Sequence, residues 1–400
     1  MESPRQRYKD IYNFERKNDV FPVNLFCWNN TYRRWIKEGL AVNFDNAFKE
    51  TVNYFLGYCN QYELIKPIGV PIGLGKNVNP PWVSPVIPSF ETKIVSQDDT
   101  HIIMIDYDGS IVKRDKYDQE SMPQWLEYPV KNKKTWDIYK KRLNPNSKER
   151  YPKNWEMIIS ETLNFPIREE LEGKSFEERD FPLGMNFFSV CGLPRDYMGL
   201  ENFSMAIYDD IKLVLEMMDW QVYFSLTLLQ KVLDSGISLD WIWIWEDIAY
   251  NKGSLFPPSF VKKHMVPRYK KVVEFLHKNG IYNILLDCDG NVDELLPLWV
   301  ECGINGIYPL ECASRMDGRE VRKKFGENLV IYGNIDKMAL AKGKNEIDQE
   351  IEKAKDLLKY GGYFPCVDHW VPPDVSLENI KYYFNELYKL CDYKEYTKRF

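Results

Sequence analysis

The sequence predicts an α/β fold, a (β/α)8 TIM barrel with an antiparallel β-hairpin excursion in its first half. Three observations carry this reading. Five apolar β runs in the second half alternate with helix-period segments. Each run is too apolar to face water, as in parallel strands covered by helices. Three further runs in the first half bring the count to eight.

The elements follow in order. "FPVNLFCW" (21–28) is the first run, a second lies near 62–72, and "FPLGMNFFSV" (181–190) is the third. "LDWIWIWED" (239–247) is next, followed by the helix-period stretch 257–280, which ends at Gly280, a residue suited to a C-cap. "IYNILLDCDG" (281–290) is a strand and 291–303 a helix. "INGIYPLE" (304–311) is a strand, with a helix around 317–326. "NLVIYGNID" (328–336) precedes a helix over 345–362, and "YFPCVDHW" (363–370) precedes one over 376–391. In "HIIMIDYDGSIVKRD" (101–115), Asp108-Gly109 between two β-like runs signals a hairpin. We read one domain over 1–400, with an insertion around 83–180. The alternative is an open doubly wound sheet. It expects a Gly-rich phosphate turn after the first strand, and "GLGKN" (73–77) is too short and wrongly placed for one.

Hydrophobic residues make up 44% of the 400 residues, enough for a large core. A net charge of −6 offers no broad basic field, which argues against a nucleic-acid partner. No apolar run approaches a membrane span and the N-terminus has no apolar signal segment, so a cytoplasmic protein is expected. The eight cysteines are scattered without a CxxC pair, which suits reduced thiols better than a disulfide framework.

Barrel chemistry sits at the C-terminal strand ends. Read to their ends, the runs give Trp28 and Asn29, Ser189 and Cys191, Glu246 and Asp247, Asp287 and Asp289, Glu311, Asn334 and Asp336, and Asp368 and His369. Nearly every end carries an acid or an amide, and the opposite ends are blander. Some have simpler explanations. Glu246-Asp247 can open a loop that caps the next helix, and Asp336 can cap the helix at 337–342. Asp293 and Glu294 suit a first helical turn. His264 and His277 belong on a helix exterior, and His101 belongs to the hairpin. His369 ends a buried strand beside Asp368 and is favoured as functional. Trp241, Trp243 and Trp245 alternate, so they share one strand face; that pattern indicates packing, with Trp245 near enough the strand end to wall a pocket.

The spans "WEDIAYNKGSLFPPSFVKKHMVPRYKKVVEFLHKNG", "DCDGNVDELLPLWVECGINGIYPLE", "YGNIDKMAL" and "GGYFPCVDHWVPPDVSLENI" resemble the uroporphyrinogen decarboxylase superfamily, in the same order. "RYKDIYNFERKNDVFPVNLFCW" is a weaker match. The resemblance implies a (β/α)8 barrel and one of two activities: decarboxylation, or methyl transfer between corrinoid proteins and thiols. It also implies a homodimer. Decarboxylases of the superfamily carry an Arg-rich motif at the first strand and a catalytic Asp motif after the second. Here Arg33-Arg34 falls in the following helix, and no counterpart of the Asp motif is found. The methyltransferases hold zinc through His-x-Cys and a later Cys. Laid on this chain, those ligands become Asp287, Asp289 and His369, a set that suits zinc, manganese or iron but lacks the thiolates that activate a thiol. Cys288 lies between the two acids and alternates to the other face.

The leading expectation is metal-assisted methyl transfer from a small methylated substrate, to or from a corrinoid protein. Asp287, Asp289 and His369 would hold a divalent ion, and Glu246 would protonate the leaving group. Trp28, Asn29, Trp245, Tyr308, Glu311, Asn334 and Asp336 would contact substrate. The alternative is a metal-free decarboxylase (lyase) acting on uroporphyrinogen or another carboxylated substrate, with Asp289 and His369 as its acid/base pair. A non-catalytic binding barrel ranks last, because it would have bland strand ends. Gly290 is expected to bring backbone close to a bound ligand.

Overall fold

The computed structural model describes residues 3–21, 25–41, 66–68, 86–118, 121–150, 182–187, 189–234 and 238–390. In chain order, α1 is Pro4–Tyr12, α2 Asn29–Lys37 and β1 Lys66–Ile68. Next come β2 Lys93–Gln97, β3 His101–Ile105, β4 Ile111–Asp115, β5 Gln124–Glu127 and α3 Lys133–Tyr139. β6 is Leu183–Phe187, followed by α4 Gly192–Met198, α5 Leu200–Asp209 and α6 Ile211–Asp234. β7 is Trp241–Trp245, β8 Ala249–Tyr250, β9 Gly253–Ser254 and α7 Val266–Lys278. β10 is Asn283–Asp287, α8 Leu296–Glu301, β11 Gly306–Tyr308, α9 Gly318–Phe325 and β12 Val330–Ile335. α10 Lys337–Lys342, α11 Lys344–Leu358, β13 Tyr363–Val367 and α12 Leu377–Lys389 complete the set.

Seven strands form one parallel sheet in the order β1-β6-β7-β10-β11-β12-β13. Every strand of the second half thus lies where its apolar composition placed it. β10, β12 and β13 are buried at every position, which explains their unbroken apolar runs. Beyond β13 the first-half run reaches the sheet through a parallel bridge between Cys27 and Val371. A closed eight-stranded barrel is not seen among the described residues, so the parallel α/β sheet is what stands.

Strand parity separates two cores. Residues facing outward pack against the helices. The inward set includes Trp241, Leu285, Tyr308, Tyr332 and Phe364, with Phe21 beside them. α1 plugs the floor of this interior. Tyr8 meets Tyr332 hydroxyl to hydroxyl at 2.9 Å, and Tyr12 donates to Asn305 at 2.8 Å. Arg5 and Lys9 pair with Asp240 just before β7. α1 itself starts on the Ser3 cap, whose hydroxyl accepts the Gln6 N–H.

Other expectations shift in detail. The predicted hairpin is the centre of a larger, four-stranded antiparallel sheet, β2-β3-β4-β5. β2 and β5 are exposed along their whole length, which hid them from a search for apolar runs. The helix expected from 291 begins only at Leu296; Asp293 pairs with Lys324 and Glu294 accepts the Ser254 N–H instead of opening a helix. The helical stretch after Pro257 widens into a π turn over Val261–Met265, because Pro267 has no N–H to continue the ladder. Gly280 follows the Asn279 cap with φ +75°, the left-handed geometry that ends α7. His277 is exposed and His264 half-buried on that helical stretch. Cys59, Cys391 and the 73–77 stretch lie outside the described residues; the six described cysteines are free thiols. No described helix is long and apolar enough to cross a membrane.

Candidate active site

β7 and β10 pair in register, with Asp287 beside Trp245 on one side and Tyr308 of β11 on the other. Side-chain alternation along β10 turns Asp287 into the interior, at the top of the aromatic stack. The chain then turns, and Asp289 follows at the rim. Its N–H donates to the Asp247 carboxylate at 2.9 Å. Oxygens of Asp247, Asp287 and Asp289 all lie within 4.8 Å of one another. His369 at the end of β13 completes the group, with Nε2 3.2 Å from Asp289 Oδ2.

The tryptophan stripe has a role beyond packing. Trp241 is buried on the floor. Trp243 Nε1 donates to Asp287 at 3.0 Å, and Trp245 Nε1 donates to Asp247 at 2.7 Å. Three indoles in line thus lead from the floor to the acids, and the upper two orient them. Trp370, next to His369 in the chain, has its ring centroid 4.8 Å from that of Trp28.

Crowded acids in an aromatic setting hold protons. Burial, then the charges of Asp247 and Asp289, push the Asp287 carboxyl well above the ordinary carboxylate range. Burial and the charge of Asp289 push Asp247 up to about 6. Burial, the largest single effect, works against a charged His369, but the hydrogen bond and the charge of Asp289 together outweigh it and raise its proton affinity; the nearby Lys337 charge opposes them. Burial and mutual repulsion therefore favour a bound proton, or a cation, at this site.

Backbone geometry at this end is unusual. Asp247, Leu310 and Asn334 have φ of +43°, +51° and +59°. Such conformations cost of order 1–3 kcal/mol each and persist where the surroundings over-determine them. Asn334 shows how: its amide accepts the Gly318 N–H and donates to the Leu310 and Met316 carbonyls.

The expected site residues separate into two groups. Asp287, Asp289 and His369 are brought together, with Trp245 and Tyr308 beside them. Glu246 is enclosed elsewhere. It is fully buried and accepts the N–H groups of Val190, Cys191 and Gly192 at 2.5, 3.0 and 3.1 Å. Three N–H donors fix it as the clamp on the turn into α4, apart from the acid cluster. Asn334 is fully committed to loop carbonyls, and Asp336 caps α10 by accepting the Met338 N–H. Glu311 accepts the Gly290 N–H and the Ser314 hydroxyl. Asn29 opens α2 next to Trp28. Arg33 and Arg34 also lie on α2, bonded to Asn30 and Glu38. Gly290 does come close to backbone, but to that of Ala249 and Tyr250, where a Cβ would sit 2.7–2.8 Å away. Cys288 is buried in the outer core, as alternation predicted.

Asp247 is the residue sequence reasoning missed. It stood beside Glu246, and the strand-end pattern alone gave no way to choose. Its positive φ turns it back over the sheet, and that is visible only in three dimensions. Trp370 was passed over in the same way.

The donors present are three carboxylates and one imidazole. A hard divalent cation fits such a set. A thiol-activating zinc does not, because the set holds no thiolate: Cys288 packs into the outer core, and the inward-facing Cys366 is not among the clustered groups.

The uroporphyrinogen decarboxylase (URO-D) family model matches residues 177–390, more than half of the chain, and the chain belongs to this family. It is 28% identical over 171 residues to the uroporphyrinogen decarboxylase of Helicobacter pylori (strain P12), covering 43% of this chain and 45% of that one. It is 22% identical over 198 residues to that of Nautilia profundicola, covering 48% and 52%. The chain thus spans about half the length of the curated relatives it matches. Among solved structures, a methyltransferase from Methanosarcina mazei covers 97% of this chain and 99% of its own, with a TM-score of 0.59 at 14% identity. That likeness speaks to the fold alone.

Proposed function

We propose that this protein is a decarboxylating lyase acting on a carboxylated substrate, with uroporphyrinogen as the first candidate. The observation that carries the proposal is a buried acid, Asp287, enclosed by aromatic rings and crowded by Asp247 and Asp289, which favours its protonated form. The curated relatives named above are uroporphyrinogen decarboxylases, and the family model covers β6 through α12, which includes all four polar groups of the site.

The chemistry follows from the geometry. Loss of CO2 breaks the bond between the carboxylate carbon and its neighbour, and the electron pair stays on that neighbour. The carbon must then be protonated. Asp287 supplies the proton and becomes a carboxylate, and water restores it through the rim acids. An apolar floor favours CO2 release because the localised carboxylate charge is spread in the transition state. The His369–Asp289 pair holds a second proton at the mouth. Trp28, Trp245, Tyr308 and Trp370 wall the pocket. We include in this proposal closure of the sheet into a (β/α)8 barrel and the one-domain organisation of the chain.

Metal-assisted methyl transfer is the second reading, favoured by the carboxylate cluster. Asp247, Asp287, Asp289 and His369 would hold the ion, and the ion would act as a Lewis acid on a substrate heteroatom. A corrinoid protein would then be the partner.

Incubation of the protein with uroporphyrinogen, with CO2 trapping and mass analysis of the products, tests the proposal. Stepwise loss of 44 mass units, the mass of CO2 (about 44 Da), is expected. Products unchanged in carboxyl count, together with methyl transfer from a methylated donor that depends on added Mn2+ or Zn2+, would overturn it.

A further inference from the structure

We propose that Lys337 is a positioning residue for the pair at the mouth. Its ammonium ties together the loops that carry Asp289 and His369, and so sets those two side chains against each other. The effect on turnover rests on the decarboxylase reading above; the tie itself does not.

Four strand ends meet at this ammonium. Lys337 opens α10 directly after β12. Its buried Nζ pairs with Glu311 Oε1, beyond β11, at 3.6 Å and with Asp368 Oδ1, beyond β13, at 3.5 Å. Each carboxylate spends its other oxygen on a neighbouring loop. Glu311 Oε2 accepts the Gly290 N–H at 3.1 Å and the Ser314 hydroxyl at 2.8 Å. Asp368 Oδ2 accepts the Cys312 N–H at 2.8 Å, and its Oδ1 accepts the Lys337 N–H at 3.1 Å. Gly290 follows Asp289 in the chain, and Asp368 precedes His369. The ammonium is therefore one carboxylate away from the backbone on each side of the 3.2 Å contact between Asp289 Oδ2 and His369 Nε2.

Charge makes the tie specific. Asp368 is fully buried, and Glu311 shares its only cation with it. Without the ammonium, two enclosed carboxylates would face each other uncompensated. They would separate, and the Gly290 and Asp368 backbones would move with them, which opens the Asp289–His369 contact. A simple field effect has the opposite sign. The Lys337 charge works against a protonated His369, so its loss alone would strengthen the hold of His369 on Asp289. Positioning and field thus predict opposite results. Lys353 provides the contrast. It also reaches this end, 3.5 Å from Cys312 Sγ, but its carboxylate partner Glu350 lies one turn away on its own helix, α11.

Nuclear magnetic resonance of the 15N-histidine-labelled full chain at one fixed pH tests the tie without turnover. The chain has four histidines, so His369→Gln assigns the signal. The unmodified protein is expected to show a hydrogen-bonded His369 Nε2 proton that disappears in Asp289→Asn. Lys337→Met is expected to lose that signal while the other three histidines keep theirs, Lys337→Arg to recover it, and Lys353→Met to retain it. In the same variant kcat on uroporphyrinogen is expected to fall about tenfold with KM unchanged. Thermal melts report whether each variant folds. Glu311→Gln keeps an acceptor for Gly290 but breaks the ion pair, and is expected to weaken the same signal, so it carries the test where Lys337→Met does not fold. No such signal in the unmodified protein, a signal kept or strengthened in folded Lys337→Met or Glu311→Gln, or an equal loss in folded Lys353→Met overturns the proposal. If no CO2 is released but the signal depends on Lys337, the lyase reading falls and the tie stands. If CO2 is released and the signal ignores Lys337, only the tie falls.

Discussion

The two ends of the sheet interior use similar residues for opposite purposes. At the floor, α1 inserts Tyr8 and Tyr12 among Phe21, Trp241 and Phe364, and the tyrosine hydroxyls are bonded. The charges there meet opposite charges, as Asp240 meets Arg5 and Lys9. At the mouth, aromatic rings surround like charges instead, and three aspartates share one small space. The floor is built to be stable. The mouth holds groups in a state that folding alone would not select, which is the mark of a functional site.

The largest effect should come from breaking the floor. Phe364, fully buried and stacked on Tyr332 at 4.3 Å, is expected to cost about 3–5 kcal/mol on truncation to alanine. Denaturant melts would show this, and the activity per folded molecule should stay near normal. An equal loss of activity per folded molecule would blur the division between the two ends.

Asp287→Asn should do the reverse. A fall in turnover of about 100-fold or more is expected, the range for a lost general acid. Stability should hold or rise, because a neutral amide needs no bound proton to sit among buried acids. A destabilised variant with normal turnover would make Asp287 a structural residue.

The smallest effect sharpens the comparison through pH. Asp247 binds its proton more tightly in the folded chain, at about 6 against an ordinary 3.8. Its contribution to stability is therefore complete below about pH 4 and is lost as pH rises through about 6. A loss on the order of 1–3 kcal/mol across that window is expected, smaller in Asp247→Asn and smaller in the presence of Mn2+. Melting temperature against pH measures it. A wild-type profile matching that of Asp247→Asn would show that Asp247 is not strained at the mouth.

Much of this was legible in the chain. Strand order and the strand-end acids follow from apolar runs and their last residues. "ILLDCDGN" announced Asp287 and Asp289, and "CVDHW" announced His369. The exposed strands β2 and β5 left no apolar run to find. Glu246 and Asp247 looked interchangeable, yet one clamps three backbone N–H groups and the other joins the acid cluster.

The sequence by itself determined the parallel α/β sheet, the site end of that sheet and three of its four polar groups. These depend on periodicity and position, which a linear chain records. Only the tertiary structure decided which strand-end acids face one another and which are consumed by loops. Those outcomes depend on backbone dihedrals at single residues, Asp247 and Asn334 above all, and on distances of a few ångströms between strands far apart in the chain.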